Sequence, residues 1–309
     1  MNLEKMKVVF AALPNCEAWT LQLLRIKFSK HKGTSYTGRE ISLKPNGSLA
    51  KFVAEISEHY INESNGQLND YHDITEYNGS TADKVIFWLA KTSELIVDEY
   101  DALINAIDNP DTEHDPLEFN AKAYVLRGIV NLDGEEKPIK LISMQKPVTT
   151  LRHKFLNSNG TFTEISNKVL SLRTTIDVII LENTVYMLTL SGEKLFNMER
   201  AYKTTCSAKL LEIDKCNIVS DFMVFSTVAN SGHNPRRFVS FNEEYLEELK
   251  NPKRRKEMAK KFKIPLSGTF FDTTSPHDID KIIKLLCNRG MVDPFNEKPM
   301  EVANSKNWE

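Results

Sequence analysis

The sequence predicts an α+β fold, with an N-terminal α+β unit followed by a mixed domain of antiparallel hairpins packed against several helices. Two observations lead to this expectation. Strand-like runs around turn residues open the second half of the chain, and helical periodicity follows from residue 193 onward. Hairpins followed by helices are typical of α+β proteins, whereas a doubly wound parallel sheet alternates strand with helix. With 41% apolar residues and 16 Phe, the 309 residues suffice for one large or two ordinary domains.

In the N-terminal half, two apolar runs predict strands and two amphipathic runs predict helices. The strand candidates are MKVVFAAL and TLQLLRIKF. The helix candidates are SLAKFVAEISEHYI and TADKVIFWLAKTSELIVDEY, for which Ser48 and Thr81 are plausible N-caps.

An acidic segment marks the predicted domain boundary. Residues 92–120 contain nine Asp or Glu and no Lys or Arg. Their first half has the spacing of an amphipathic helix, and the second half, DNPDTEHDP, has the Asn-Pro and Asp-Pro steps of a loop. We therefore expect an N-terminal α+β domain over residues 1–115 and a second domain over 116–309. The acidic segment 94–118 is a candidate docking surface for a protein partner, with a solvated helix face as the alternative.

The second half begins with two predicted hairpins, one around Asp133-Gly134 and one around Glu182-Asn183. Helical patterns follow in GEKLFNMERAYKTTCSAKLLEI, NIVSDFMVFSTVAN, FNEEYLEELKN and the basic stretch after it. One more strand, SGTFFDTT, precedes a last helix, which Ser275 caps and Pro276 begins.

Composition restricts the possible functions. The formal charge of −2 excludes a uniformly basic protein, so affinity for nucleic acid would have to come from a local patch. The four scattered cysteines form no C-x-x-C pair, which predicts reduced thiols in a cytoplasmic protein and neither a disulfide scaffold nor a cysteine-rich zinc site. No apolar run is long enough for a signal peptide or a spanning helix, so we expect no direct membrane insertion.

The most distinctive segment is NPKRRKEMAKKFKIP, residues 251–265, where seven Lys and Arg fall within eleven positions. On a helical wheel Met258, Ala259 and Phe262 share one arc, and five lysines cover the opposite half. Two interpretations of this charged face are open. The first is phosphate binding, and the second is a solvated face that pairs with the glutamates of the preceding helix. Cations near a helix start are disfavoured by the helix dipole, which weakens the second interpretation. A membrane-surface helix would have a more apolar buried face.

Two further basic groups lie elsewhere in the sequence. Arg236 and Arg237 belong to SGHNPRRF, whose Gly and Pro predict a loop that presents two guanidinium groups. The segment QKPVTTLRHKF contributes Lys146, Arg152 and Lys154 after the first hairpin.

Catalytic signatures are absent from the sequence, which predicts a protein that is not an enzyme and uses no cofactor or metal. Phosphate-binding glycine loops, a G-x-S-x-G elbow and an H-E-x-x-H motif are all missing. The alternative is a metal-dependent nuclease centred on Asp177, with Glu182 and Glu193-Lys194 as the other residue types that such a site needs. Their order and spacing disfavour it, and Asp177 is more simply a polar residue at the edge of a buried strand.

The segment LRTTIDVIILENTVYMLTLSGEKLFNMERAYK resembles the core of the KwaB family, the B proteins of the Kiwa anti-phage system, in which a strand carrying an Asp leads through a hairpin to a helix. The stretch DIDKIIKLLCNRGMVDPFNEKPMEVANSK is similar to the end of that family. The resemblance covers roughly residues 116–309. It implies a cytoplasmic, oligomeric DNA-binding protein that is recruited to the inner membrane by a small membrane-embedded partner, KwaA, and restrains phage DNA replication and expression.

We therefore expect a homodimer or higher homo-oligomer that binds phage duplex DNA largely without sequence preference, with a scaffold that does not bind DNA as a further alternative. The predicted phosphate contacts are Arg236, Arg237, Lys253, Arg254, Arg255, Lys260, Lys261 and Lys263, with Lys146, Arg152 and Lys154 as a second set.

Overall fold

A computed structural model of the chain describes residues 1–16, 18–29, 33–112, 119–150, 154–158, 161–165 and 168–302. Helices and a mixed sheet together confirm the α+β class. The chain forms two compact units: the first unit comprises Met1–Glu76 and Lys84–Asn197, and the second comprises Tyr77–Asp83 and Met198–Glu309.

The first unit is built around an eight-stranded sheet. Its helices are α1 (Leu3–Ala12), α2 (Ser48–Ile61), α3 (Val97–Asp108) and α4 (Ser191–Leu195). Its strands are β1 (Thr20–Ser29), β2 (Gly33–Ile41), β3 (Asp73–Glu76), β4 (Val85–Ala90), β5 (Ala123–Leu132), β6 (Glu135–Ser143), β7 (Val148–Thr150), β8 (Lys154–Ser158), β9 (Thr161–Ile165), β10 (Lys168–Leu170), β11 (Val178–Leu181) and β12 (Thr184–Met187).

The strand order in the large sheet is β2-β1-β5-β6-β11-β12-β4-β3. Every neighbouring pair is antiparallel except β3 with β4. The β5–β6 and β11–β12 hairpins lie where the turn residues predict them. Because β5 pairs with β1, one sheet joins residues on both sides of position 115. The two compact units divide the chain after Glu76, after Asp83 and after Asn197, so the predicted boundary at residue 115 falls within the first unit.

Two elements of the first unit differ from the sequence expectation. The run MKVVFAAL is part of helix α1 and not a strand, since Met6, Phe10 and Leu13 are buried at helical spacing and Asn2 accepts a hydrogen bond from the Lys5 amide. The predicted helix from Thr81 contains strand β4, whose Phe87 and Leu89 are buried and which pairs with β12. Pairing within the sheet overrides local helical preference there.

The acidic segment is α3 and the residues that follow it. Glu99 accepts hydrogen bonds from the hydroxyls of Thr34 and Tyr36, and Asp108 forms an ion pair with Arg127. Part of its negative charge is therefore used within the first unit. The predicted docking role of this segment stays a prediction, and its residues 113–118 lie outside the described ranges.

The second unit is mainly helical. Its helices are α5 (Met198–Cys216), α6 (Phe222–Ala229), α7 (Asn234–Arg237), α8 (Glu243–Leu249), α9 (Pro252–Phe262) and α10 (Pro276–Leu286). Its strands are β13 (Leu266–Ser267), β14 (Phe270–Phe271), β15 (Gly290–Val292) and β16 (Pro299–Glu301). One apolar core runs through these elements and includes Phe225, Phe238, Phe271 and Ile283. It holds α9 with one face buried and the other exposed.

Candidate nucleic-acid interface

Helix α9 carries most of the basic stretch and is well defined at both ends. Pro252 occupies its first position, where a missing amide hydrogen costs nothing. The side chain of Asn251 accepts a hydrogen bond from the Lys253 amide at 2.9 Å and caps the helix. The helix ends at Lys263, which adopts a left-handed conformation with φ of 52°. The Asn cap and the Pro at the first position are therefore sequence signals that mark where this helix begins.

The buried face of α9 includes a charged residue. The Arg255 side chain is 3% exposed and lies with Ala259 against the core of the second unit. Its Nε donates to the Leu249 carbonyl at 2.9 Å, Nη1 to the Thr269 carbonyl at 2.6 Å and Nη2 to the Lys250 carbonyl at 3.3 Å. Burial lowers the pKa of Arg255 from its ordinary value. Its guanidinium group therefore joins α9 to neighbouring backbone and does not face solvent.

The exposed face presents what we call the lysine stripe: Lys253, Lys256 and Lys260. Their spacing of three and four residues places them on one side of the helix. All three line an open groove of about 670 Å³ whose apolar wall includes Ala259, Ile264 and Leu266. Glu257 is the one carboxylate among the described lining residues. The groove thus combines a row of ammonium groups with an apolar wall.

Five exposed lysines of this region have no ion-pair partner within the described parts of the chain. They are Lys253, Lys256, Lys260, Lys261 and Lys263. Arg254 differs, since it pairs with Glu248 at 2.9 Å and with Glu257 at 3.0 Å. Pairing with the preceding helix therefore accounts for one cation of the cluster and leaves these lysines available.

Arg236 and Arg237 lie in the short helix α7 and not in the loop that the sequence predicts. Arg236 donates to the Tyr77 hydroxyl at 2.9 Å and to the Ser80 carbonyl at 2.8 Å. Arg237 pairs with Asp280, and its second terminal nitrogen lies 3.5 Å from Glu301. Both guanidinium groups have intramolecular partners, so neither is preorganised for phosphate.

The second set of predicted contacts belongs to the first unit. Lys146 is exposed in the segment between β6 and β7. Arg152 lies outside the described residues, and Lys154 is described only as the first backbone position of β8. Of this set, only Lys146 has a described side chain, and the second set of contacts stays a prediction.

Lys256 is exposed but is not among the predicted contacts, whereas Arg255 is a predicted contact but is buried. The helical spacing contains the signal for both. Lys256 lies three residues after Lys253 and four before Lys260, on the charged side. Arg255 lies three residues before Met258 and four before Ala259, which places it on the apolar side.

Asp177, the centre of the nuclease alternative, is 5% exposed. Its carboxylate accepts hydrogen bonds from the Met144 amide at 2.6 Å and from the Thr189 hydroxyl. Glu182 lies at the hairpin tip with φ of 55° and pairs with Lys137. Within the described residues, no group of three or more His, Cys, Asp or Glu could hold a metal ion. The carboxylate of Asp177 thus fastens the start of β11 to neighbouring segments.

A substitution separates this structural role from catalysis. In Asp177→Asn, the amide oxygen can still accept from the Met144 amide, but the amide nitrogen must donate to the Thr189 hydroxyl, which has to reverse its role, and both hydrogen bonds lose the negative charge of the acceptor. We expect the free energy of unfolding to fall by about 1–3 kcal/mol. Thermal melting and Mg²⁺-dependent cleavage of duplex DNA should be measured together. Metal-dependent cleavage by the wild type that Asp177→Asn abolishes without loss of stability would contradict the structural role.

Part of the chain matches a known protein family. The family model described as Kiwa protein KwaB-like matches residues 137–292, which is just over half of the chain. The chain belongs to the KwaB-like family. The match runs from β6 through β15 and therefore includes α9 and the whole lysine stripe. The resemblance noted in the sequence is confirmed, over a somewhat shorter span than residues 116–309. No curated protein and no solved structure matches the chain.

Membership of the KwaB-like family implies a component of the Kiwa anti-phage defence system. In the part of the chain that the structure describes, no helix is both long and apolar enough to cross a bilayer.

Proposed function

We propose that this KwaB-like protein binds duplex DNA largely without sequence preference through the lysine stripe of α9. The observation that carries the proposal is the exposure of Lys253, Lys256 and Lys260 in one row, without ion-pair partners within the described chain. Unpaired ammonium groups in a row are suited to the phosphates of a nucleic-acid backbone. Such contacts position a protein on DNA and carry no sequence information by themselves.

The dimensions of the stripe are compatible with a DNA strand. Helix α9 rises by about 10 Å from Lys253 to Lys260, at 1.5 Å per residue. Successive phosphates of one strand advance by about 3.4 Å along the duplex axis, so this length corresponds to about three phosphates. Lys261 and Lys263 extend the positive charge at the helix end. Arg254 is a weaker candidate because it is already paired, and Lys146 is a separate candidate in the first unit.

We further propose that the protein works as a homo-oligomer with the membrane-embedded partner KwaA, and that DNA binding at the inner membrane blocks phage replication or expression. Family membership supports this context. In this proposal the protein holds DNA by electrostatic contacts and cleaves no bond. The hydrogen bonds that the Asp177 carboxylate accepts from Met144 and Thr189 support this, because they give that residue a structural role.

The test is a salt titration of binding between the full chain and duplex DNA of mixed sequence. Three to five phosphate contacts should give a log–log slope of about −3 to −4.5, at about 0.9 per contact. Duplexes of different sequence should bind with nearly equal affinity. No binding near 0.1 M salt would contradict the proposal and favour a scaffold that contacts only proteins.

A further inference from the structure

A second cationic cavity lies in the first unit, on the sheet and not on α9. It has a volume of about 300 Å³ and lies among residues of β1, β5 and β6 and the segment before β1. Its described lining is Ala18, Thr20, Arg127, Gly128, Ile129, Pro138, Ile139 and Lys140. One part of this lining is polar and cationic, and the rest is apolar.

The polar part is a row across three neighbouring strands. Thr20 is the partner of Arg127 in the β1–β5 pair, and Arg127 is the partner of Lys140 in the β5–β6 pair. Residues directly opposite each other in an antiparallel pair share one face of the sheet. The register therefore places a hydroxyl, a guanidinium and an ammonium group side by side.

This arrangement is unfavourable for stability alone, because like charges directly opposite each other in a sheet repel. Asp108 relieves part of the repulsion, with its carboxylate 3.3 Å from Arg127, and Arg127 also donates to the Ile107 carbonyl at 3.0 Å. Lys140 has no ion-pair partner among the described residues. Burial lowers the pKa of Lys140, and the nearby Arg127 lowers it further, whereas the Asp108 carboxylate raises it.

Thr20 adds an unused hydrogen-bonding group. Its Oγ1 atom is buried and has no hydrogen-bond partner among the residues that the structure describes. A buried polar atom without a partner costs stability unless a ligand or water satisfies it. The cavity lining therefore includes an unsatisfied hydroxyl on β1 and, on β6, a cation without an ion-pair partner among the described residues. Arg127 lies on β5 between them and is already oriented by its contacts with the end of α3.

We propose that this cavity binds the phosphate group of a small phosphomonoester. Lys140 would neutralise the phosphate, the Thr20 hydroxyl would donate a hydrogen bond to it, and Arg127 would add positive charge from the opposite strand position. Ile129 and Pro138 offer apolar surface to the rest of the ligand. The ligand would relieve the repulsion between Arg127 and Lys140 and satisfy the hydroxyl.

The site is independent of the proposed DNA interface. Thr20 and Arg127 precede the segment that the KwaB-like family model matches, and all three polar residues belong to the first unit, whereas the lysine stripe belongs to the second. Either proposal can therefore fail without the other.

The experiment measures the melting temperature of the full chain against phenyl phosphate and against inorganic phosphate, with ionic strength held constant by sodium chloride. A ligand that binds the folded state raises the melting temperature saturably. We expect saturation with both compounds and a lower apparent Kd for phenyl phosphate, whose ring contacts the apolar part of the cavity.

Variants identify the site. Lys140→Met keeps the length of the side chain but removes its charge, and should weaken apparent affinity by about tenfold or more. Thr20→Val should weaken it severalfold, and Lys140→Arg should retain most of it. The matched control is Lys137→Met, on the same strand but the opposite face, where Lys137 pairs with Glu135 and Glu182. The melting temperature of this control should rise with phenyl phosphate and with inorganic phosphate as much as that of the wild type.

The ligand-free melting temperatures provide a second measurement. Removal of the unpaired charge in Lys140→Met should raise the melting temperature, or leave it unchanged, while the response to ligand is lost. Two results would overturn the proposal. One is a ligand-dependent rise in the melting temperature of Lys140→Met that equals the rise in the wild type. The other is a response that disappears only when the lysine stripe is substituted, since phosphate would then bind at α9.

Discussion

Replacement of all three stripe lysines, as in Lys253/Lys256/Lys260→Gln, is expected to weaken binding to duplex DNA by about 10²–10³-fold near 0.1 M salt. Each lost phosphate contact removes the release of about 0.9 counterions, so the log–log salt slope should also become shallower by about 2.7. Glutamine preserves side-chain length and helix propensity, so the fold of α9 should be retained. Binding is measured by fluorescence anisotropy with a labelled duplex over a range of salt concentrations.

A matched control separates a defined surface from a general effect of net charge. Lys203, Lys215 and Lys250 are exposed lysines of the same unit. Lys203 pairs with Glu199 within α5, and Lys250, the residue after α8, pairs with Glu247 of that helix. Their triple substitution by Gln changes net charge by the same amount. We expect its salt slope to stay within about half a unit of the wild-type slope, since fewer than one phosphate contact is lost.

The outcomes distinguish the alternatives. Equal losses in the two triple variants would indicate attraction to net charge and no defined interface. Wild-type affinity in the stripe variant would move the interface away from α9, and Lys146 in the first unit would be the next residue to substitute. Lys261→Gln and Lys263→Gln, tested singly, should each reduce the slope by up to about 0.9 if the interface includes the last turn of α9 and the residue after it.

Much of the fold could be predicted because local signals and packing agree. Helix α9 has an Asn cap, a Pro at its first position and an apolar stripe, and the structure contains that helix. The hairpins with Asp133-Gly134 and Glu182-Asn183 turns form in the register that their turns allow. Where local and tertiary preferences differ, prediction from sequence was wrong, as for β4, which is a strand because β12 and β3 pair with it.

The limits of prediction at the candidate site have a different cause. Charge counts show that α9 is basic, but they do not show which cations already have partners. Arg236, Arg237 and Arg254 pair with groups that are distant in sequence or on adjacent helices. Cross-strand neighbours such as Thr20 and Arg127 depend on the register of two strands that no tight turn connects, and a single sequence does not specify that register.

Arg255 provides the second large expected effect, on stability and not on binding. In Arg255→Met the aliphatic bulk is retained, but the carbonyls of Leu249, Lys250 and Thr269 lose their donors. Unsatisfied buried acceptors cost about 1–3 kcal/mol each, and water can reach part of the exposed Thr269. We expect a loss of about 2–4 kcal/mol in the local stability of the second unit.

Hydrogen exchange measures this loss where it occurs, because a chain with two compact units need not unfold in one step. Peptides from α9 and from β14 should exchange about 30 to 700 times faster in Arg255→Met, which corresponds to that free energy at about 1.4 kcal/mol per tenfold. The neighbouring Lys256→Met should leave exchange in these peptides nearly unchanged, since its side chain is exposed.

The same two variants test the division of α9 into a structural and a binding face. Lys256→Met should weaken DNA binding and reduce the salt slope by about 0.9 without loss of protection. Arg255→Met, assayed where the second unit remains folded, should retain the wild-type slope, because its guanidinium group lies beneath the helix. A reduced slope in folded Arg255→Met would mean that this arginine leaves its three carbonyls to contact DNA, and the two faces of α9 would not be separate.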